Sequence, residues 1–186
     1  CPPAEEGART HAAPPRGPRR NEFLNIVERF LSMGGGVFCL LYPERVKEYN
    51  RPMLEPWGAR LPYEWYEEEN PARVASMPRM PRVKVALTES VISSPVTESV
   101  RSLWFPYARH HRVNSSWTSP LKVNDSWQVV VRGSKTSRSV PIRPGEGRWG
   151  VPLPENRLAR KQGVEQPPLV AVREYKAGRI LLTMQM

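Results

Sequence analysis

Proline and glycine set the first limit on this chain. Its 186 residues include 21 prolines and 12 glycines, spread along the whole length, and both residue types interrupt helices and strand ladders. Long regular elements are therefore not expected. Between the breakers lie six tryptophans, six tyrosines and many valines and leucines, more apolar surface than a disordered tail carries. The combination predicts a small α+β fold, with β-hairpins and one or two short helices joined by long extended Pro-rich segments. Such a chain gains order by lying against a partner.

Residues 25–42 hold two apolar stretches around Gly34-Gly35-Gly36. A β-hairpin with a glycine turn fits this pattern, because glycine reaches positive φ without strain. Phe23, Ile26, Val27, Phe30 and Leu31 also fit a helical spacing, so a helix followed by a strand is the second reading. Residues 43–81 mix prolines with Tyr49, Trp57, Tyr63, Trp65 and Tyr66, which predicts an extended course that clips aromatics onto neighbours. The glutamate run at 67–69 is expected in solvent, or facing a basic partner protein.

A helix is expected over residues 95–104. Ser94 suits its cap, Pro95 its first turn and Glu98 the positive end of its dipole. Val96, Val100, Leu103 and Trp104 then share one face. Residues 127–132 and 138–142 bracket 133–137 as a hairpin with a basic tip. Residues 169–175 and 179–186 flank Lys176-Ala177-Gly178 as a clearer one. Between them, residues 154–162 fit a short helix ending at Gly163.

The net charge is +10 and the isoelectric point about 10.1, which points to phosphate backbones or anionic lipid heads as partners. The surplus is uneven. Residues 1–20 hold four Arg and two Glu, residues 21–80 hold seven basic and nine acidic side chains, and residues 81–186 hold seventeen basic and seven acidic. The nucleic-acid signal therefore sits in the last hundred residues, and the near-neutral middle suits protein contacts.

Within that basic part, Leu103-Trp104-Phe105-Pro106-Tyr107-Ala108-Arg109-His110-His111-Arg112 packs three aromatics around a proline and runs into basic side chains. Flat rings stack on unpaired bases while guanidinium groups meet phosphate oxygens. The plainer reading makes Trp104 and Phe105 core residues with Arg109 and Arg112 on a solvated edge. The expected RNA contacts are Arg109, His110, Arg112, Arg132, Lys135, Arg138, Arg157, Arg160 and Lys161, with Trp104, Phe105 and Tyr107 packing or stacking beside them.

Catalytic chemistry has few carriers. Asp125 is the single aspartate, and adjacent histidines such as His110 and His111 diverge on most backbones, which suits acid–base work poorly. Residues 34–36 lack the lysine and the Ser or Thr of a phosphate loop. Cys1 and Cys39, even with His11, His110 and His111, are too few for a disulfide framework or a zinc site. No metal, cofactor or small-molecule substrate is expected. Apolar runs such as 37–42 are far shorter than the roughly 20 residues of a membrane-spanning helix, so no membrane insertion is expected. The chain opens at Cys1 without an initiator methionine, which suggests a removed leader. Asn114-Ser115-Ser116 and Asn124-Asp125-Ser126 match the glycosylation triplet but arise easily by chance.

Three segments taken in order carry a resemblance: Val37-Phe38-Cys39-Leu40-Leu41-Tyr42-Pro43, Glu48-Tyr49-Asn50-Arg51-Pro52, and the aromatic and basic block at 104–112. Together they resemble the mitochondrial large-subunit ribosomal protein forty-two family over residues 26–114, with the last block the most specific. Leu40 and Leu41 stand where that family has one aromatic, and Asn50-Arg51 depart from its His, Thr and Lys. The resemblance implies a structural constituent of the mitochondrial ribosome in the matrix, with a cleaved presequence, held by ribosomal RNA and other mitochondrial ribosomal proteins and without catalysis. The expected organisation is a basic arm at 1–20, a family-like core at 21–114 and a basic extension at 115–186 carrying two hairpins. The rival reading is an accessory subunit of a mitochondrial membrane complex, such as a respiratory complex or ATP synthase. A third is a secreted β-domain glycosylated at the two triplets.

Overall fold

The computed structural model describes residues 18–41, 51–60, 62, 64–106, 118–141 and 163–184. Helix α1 spans Pro18–Ser32, with its proline in the first turn, where no backbone donor is lost. It stops at glycine. Gly34 takes a φ of 89°, its N–H donates to the Leu31 carbonyl at 3.1 Å, and the Gly35 N–H donates to the Phe30 carbonyl at 3.0 Å. These paired bonds form a Schellman cap. Strand β1, Gly36–Leu41, follows at once, so the glycine run ends a helix and the hairpin expected around it does not form. Both structures need a glycine at positive φ, and the helical spacing from Phe23 to Leu31 decides between them.

The order continues with a single-turn helix α2, Arg51–Leu54, then β2, Ala59–Arg60, and β3, Glu64–Glu68. A 3₁₀ turn at Pro71–Arg73, capped by the Asn70 side chain, leads to β4, Val74–Met77, and β5, Met80–Thr88. Then come β6, Leu103–Pro106, β7, Lys122–Val123, and β8, Gln128–Arg132. The described chain closes with β9, Ser137–Pro141, β10, Pro168–Tyr175, and β11, Gly178–Met184. Among the described residues the fold is mixed α+β and mostly β.

The main sheet runs β1-β11-β10-β8. Its last strand lies parallel to its first, with Gly36 opposite Arg179 and Leu41 opposite Met184, and the other pairings are antiparallel. A second sheet runs β4-β5-β6, and two ribbons pair β2 with β7 and β3 with β9. Strand β11 shows why both faces of the main sheet are covered. Ile180, Leu182 and Met184 alternate into one core with Leu31, Cys39 and Trp57, while the intervening Leu181 packs on a second core built from Tyr66, Phe105 and Val130. Each fully buried aliphatic side chain stabilises the fold by about 1.5–3 kcal/mol.

Three further expectations meet the structure differently. Residues 169–184 form the expected hairpin, with Tyr175 opposite Gly178. Residues 127–132 and 138–142 contribute strands β8 and β9, but β8 pairs with β10 and β9 pairs with β3, so they are not the arms of one hairpin. Side-chain pattern shows that a stretch is a strand without naming its neighbour. The helix expected over 95–104 is absent. Residues 95–99 form turns in which the Thr97 N–H bonds the Ser94 carbonyl and the Val100 N–H the Thr97 carbonyl. The Thr97 hydroxyl bonds the Ile92 carbonyl at 2.6 Å. Leu103 to Pro106 then ladder onto β5. Capping residues start a turn as readily as a helix, and tertiary strand pairing took the remainder.

Strands from either side of residue 114 pair with one another in three places, β1 with β11, β2 with β7 and β3 with β9, while β4, β5 and β6 pair among themselves. Residues 154–162, where a short helix was expected, lie outside the described residues.

Candidate functional site

Strand β6 sorts the aromatic block by face. In a strand, neighbouring side chains point to opposite sides, and Phe105 is 1% exposed while Trp104 is 49% exposed. Phe105 meets Tyr66 edge-on, with centroids 6.4 Å apart, and lies opposite Ala86 in the ladder. Stacking on a base is therefore excluded for Phe105, which is a core residue. Trp104 lies opposite Leu87 and turns its indole outward. The residues that follow it, Tyr107, Arg109, His110 and Arg112, lie outside the described residues, as do Arg157, Arg160 and Lys161.

The remaining basic candidates are placed as follows. Lys135 is exposed in the turn between β8 and β9. Arg132 is half-buried at the end of β8 and lines a groove of about 450 Å³ with Glu64, Lys122 and Asp125. Arg138 is engaged within the protein: its guanidinium meets the Glu69 carboxylate at 2.8 and 3.2 Å. A clamped guanidinium offers fewer donors to a phosphate, so Arg138 is a framework residue. The Thr88 hydroxyl bonds the Arg132 carbonyl at 2.7 Å, and Thr88 lies opposite Leu103. The structure thereby joins the start of β6 to the end of β8.

Of the glutamate run expected in solvent, Glu69 is exposed but the other two are not. Glu67 is 7% and Glu68 2% exposed. The Ser134 hydroxyl donates to one Glu68 oxygen, while the Thr136 hydroxyl and the Asn70 N–H donate to the other at 2.5 and 2.8 Å. Together they hold the 133–136 turn against β3. A buried carboxylate with several donors is stable where a bare one is not. Sequence reading had no signal for this, since the hydroxyls lie more than sixty residues further along the chain.

A second polar group went unnoticed at the other end. The Trp57 indole donates to Glu28 at 3.0 Å, and its carbonyl accepts the Trp127 indole N–H at 2.6 Å and the Arg173 guanidinium. Lys176 pairs with the same Glu28 carboxylate at 2.5 Å. Lys176 itself has a φ of 56°, which costs a side-chain-bearing residue about 1–2 kcal/mol. The ion pair and the Tyr175 ring, 5.6 Å from its ammonium, hold it there.

Titration tells what these groups can do. Burial pushes the Cys39 thiol up to about 11. Burial, with the Glu68 charge beside it, raises the Tyr66 phenol as well. Both shifts move away from neutrality, opposite to what an acid–base catalyst or a reactive thiolate needs. Among the described residues no group of three or more His, Cys, Asp or Glu is placed to hold a metal ion. None of the described helices is long and apolar enough to cross a membrane.

The class these observations define is a mixed α+β domain, mostly β, whose main sheet is covered on one face by α1 with the β2–β7 ribbon and on the other by residues of β3, β5 and β6. No family model and no curated protein matches the sequence. Among solved structures the fold is similar to the mmIFT52 N-terminal domain, with a TM-score of 0.51 at 12% identity over 88% of this chain. The chain spans 59% of that neighbour's length.

Proposed function

We propose that this protein is a non-catalytic structural module of a larger assembly that binds RNA through its basic side chains, as a constituent of the mitochondrial ribosomal large subunit in the matrix. The observation that carries the reading is Trp104. A half-exposed indole on an outer strand, opposite Leu87, is a stacking platform, and it leads directly into Arg109, His110 and Arg112 in sequence. The charge of +10 supports a polyanionic partner, and the resemblance over residues 26–114 supplies the particular assembly. Lys135, Arg132, Arg157, Arg160 and Lys161 supplement the contact.

A second reading, a protein-docking scaffold without RNA, is favoured by the exposed apolar side chains of α1, Phe23, Ile26 and Phe30.

The test is titration of the purified chain with labelled single-stranded RNA at several salt concentrations. Binding is expected to fall steeply with salt, and Trp104→Ala should lose about 1–3 kcal/mol of affinity without loss of thermal stability. Phe105→Ala should do the reverse, costing roughly 3–5 kcal/mol of stability. Equal RNA affinity in wild type and Trp104→Ala would remove the platform and with it the reading. Sedimentation of the endogenous protein with ribosomal RNA, and its release by RNase, checks the assembly.

A further inference from the structure

Helix α1 is apolar on more of its circumference than the sheet beneath it uses. Leu31 is fully buried, Val27 packs on the same core, and Glu28 reaches across to Trp57 and Lys176 on the β10–β11 side. On the opposite flank stand Phe23, Ile26 and Phe30, and just past the helix end Met33, at 58%, 61%, 47% and 72% exposure. Their spacing of three, four and three residues makes one continuous stripe. The Phe30 ring lies against Gly35, where a Cβ would meet it at 2.4 Å. The stripe therefore overhangs β1, which is the outer strand of its sheet.

That edge lacks the usual protections. Gly36–Leu41 has no charge, no proline and no bulge against β11, the features with which exposed edges avoid pairing. On the sheet face away from α1 it carries Phe38 and Leu40 at 65% and 57% exposure. The six apolar side chains each offer on the order of 100 Å². Their sum of roughly 600 Å², with a strand ladder added, approaches the ~800 Å² per partner of a standard interface. The uncharged apolar runs of this chain outside the described residues, at 1–4, 12–15 and 149–154, each carry two prolines, which cannot donate to a ladder, so an unbroken strand on this edge comes from another polypeptide.

We propose that the occupant is a second copy of this chain, docked by antiparallel β1–β1 pairing about a two-fold axis perpendicular to the sheet. Such an axis keeps both α1 helices on the same face, side by side and antiparallel, and joins the two main sheets into one. Phe38 and Leu40 of the two copies meet on the other face. The charges agree with this. Glu22 and Arg29 are both exposed at the outer margin of the stripe, seven residues apart, so an antiparallel approach sets Glu22 of each copy toward Arg29 of the other.

The experiment is sedimentation velocity of the full chain without RNA across a concentration series. The wild type should form a dimer, and added salt should not dissociate it, because the contact is mainly apolar. Ile26→Glu and Leu40→Lys should each raise the dimer dissociation constant at least tenfold, equal to ~1.4 kcal/mol, with unchanged far-UV circular dichroism. If either fails to fold, Glu22→Arg serves in its place. It should weaken the dimer, and adding Arg29→Glu to it should restore the affinity. A wild type that stays monomeric at its highest soluble concentration, or a charge swap that fails to restore pairing, overturns the proposal.

Discussion

Glu28 shows how one side chain ties three elements together. Its carboxylate receives the Trp57 indole from the segment after α2 and the Lys176 ammonium from the β10–β11 turn. Partial burial works to raise its pKa, but the hydrogen bonds from Lys176 and Trp57 and the Lys176 charge outweigh it, holding the group below its ordinary 4.5. A carboxylate with a depressed folded pKa contributes stability that is present above the unfolded value and is lost as pH falls through the folded one. Lys176 is raised, first by its hydrogen bond to Glu28, so its share persists at neutral pH and disappears only as pH rises beyond the ordinary 10.5. Glu28→Gln keeps an acceptor for the indole and removes the charge. Thermal melts should therefore show the variant less stable than wild type at neutral pH, with the gap closing as pH falls below the ordinary 4.5 and through the lower folded value. A gap that stays constant from neutral to acid pH would mean that the carboxylate's charge does no work there.

At the scale of elements, the end of α1 and the residues after it lie in close backbone approach to the β10–β11 turn. A Cβ at Gly178 would stand 2.3 Å from the Gly35 carbonyl oxygen and 2.7 Å from that of Leu31, and both are backbone atoms that cannot rotate aside. Gly178→Ala is expected to cost about 1–3 kcal/mol through forced separation of helix and hairpin, read as a fall in thermal midpoint of several degrees. The hairpin itself was legible in the sequence. Its two arms carry long apolar runs, Lys176-Ala177-Gly178 marks the turn, and each arm finds its partner a few residues away. The strand nature of residues 128–132 and 137–141 was legible too, from valines and alternating serines, but their partners were not, because β10 and β3 lie tens of residues away and no local pattern names them. Residues 95–104 misled in the other direction. Ser94, Pro95 and Glu98 are good helix-start residues, yet Thr97 satisfies its own neighbourhood in a turn, and Trp104 and Phe105 have strand propensities that pairing with β5 rewards. In the candidate site, the same alternation that sends Trp104 outward and Phe105 inward follows from strand geometry. A helix over the same residues places Leu103 and Trp104 on one face, so the helical spacing does not reveal it.

For the whole molecule, the decisive connection is the parallel register of β1 with β11, residues 36–41 against 179–184. About three quarters of the chain lies between those partners. The buried set around Leu31, Cys39 and Trp57 takes Ile180, Leu182 and Met184 from the final strand, so the first and last described elements share one core. A chain ending at residue 178 is expected to lose cooperative thermal unfolding and to bind a hydrophobic dye, rather than to retain a folded N-terminal half. Retention of a sharp melt by that truncated chain would contradict the sharing of the core. The glutamates at 67–68 carry the same lesson on a smaller scale: a charged run looks solvated until hydroxyls from a distant turn supply its donors.

The pairing of first and last strands also fixes when this protein can fold during its own synthesis. While residues 179–184 remain inside the exit tunnel of the translating ribosome, α1 and β1 stand outside it with Leu31, Cys39 and Leu41 uncovered. Until residues 179–184 emerge these side chains lack their partner strand, so a translational pause before that point is expected to lengthen the time that apolar surface stands open.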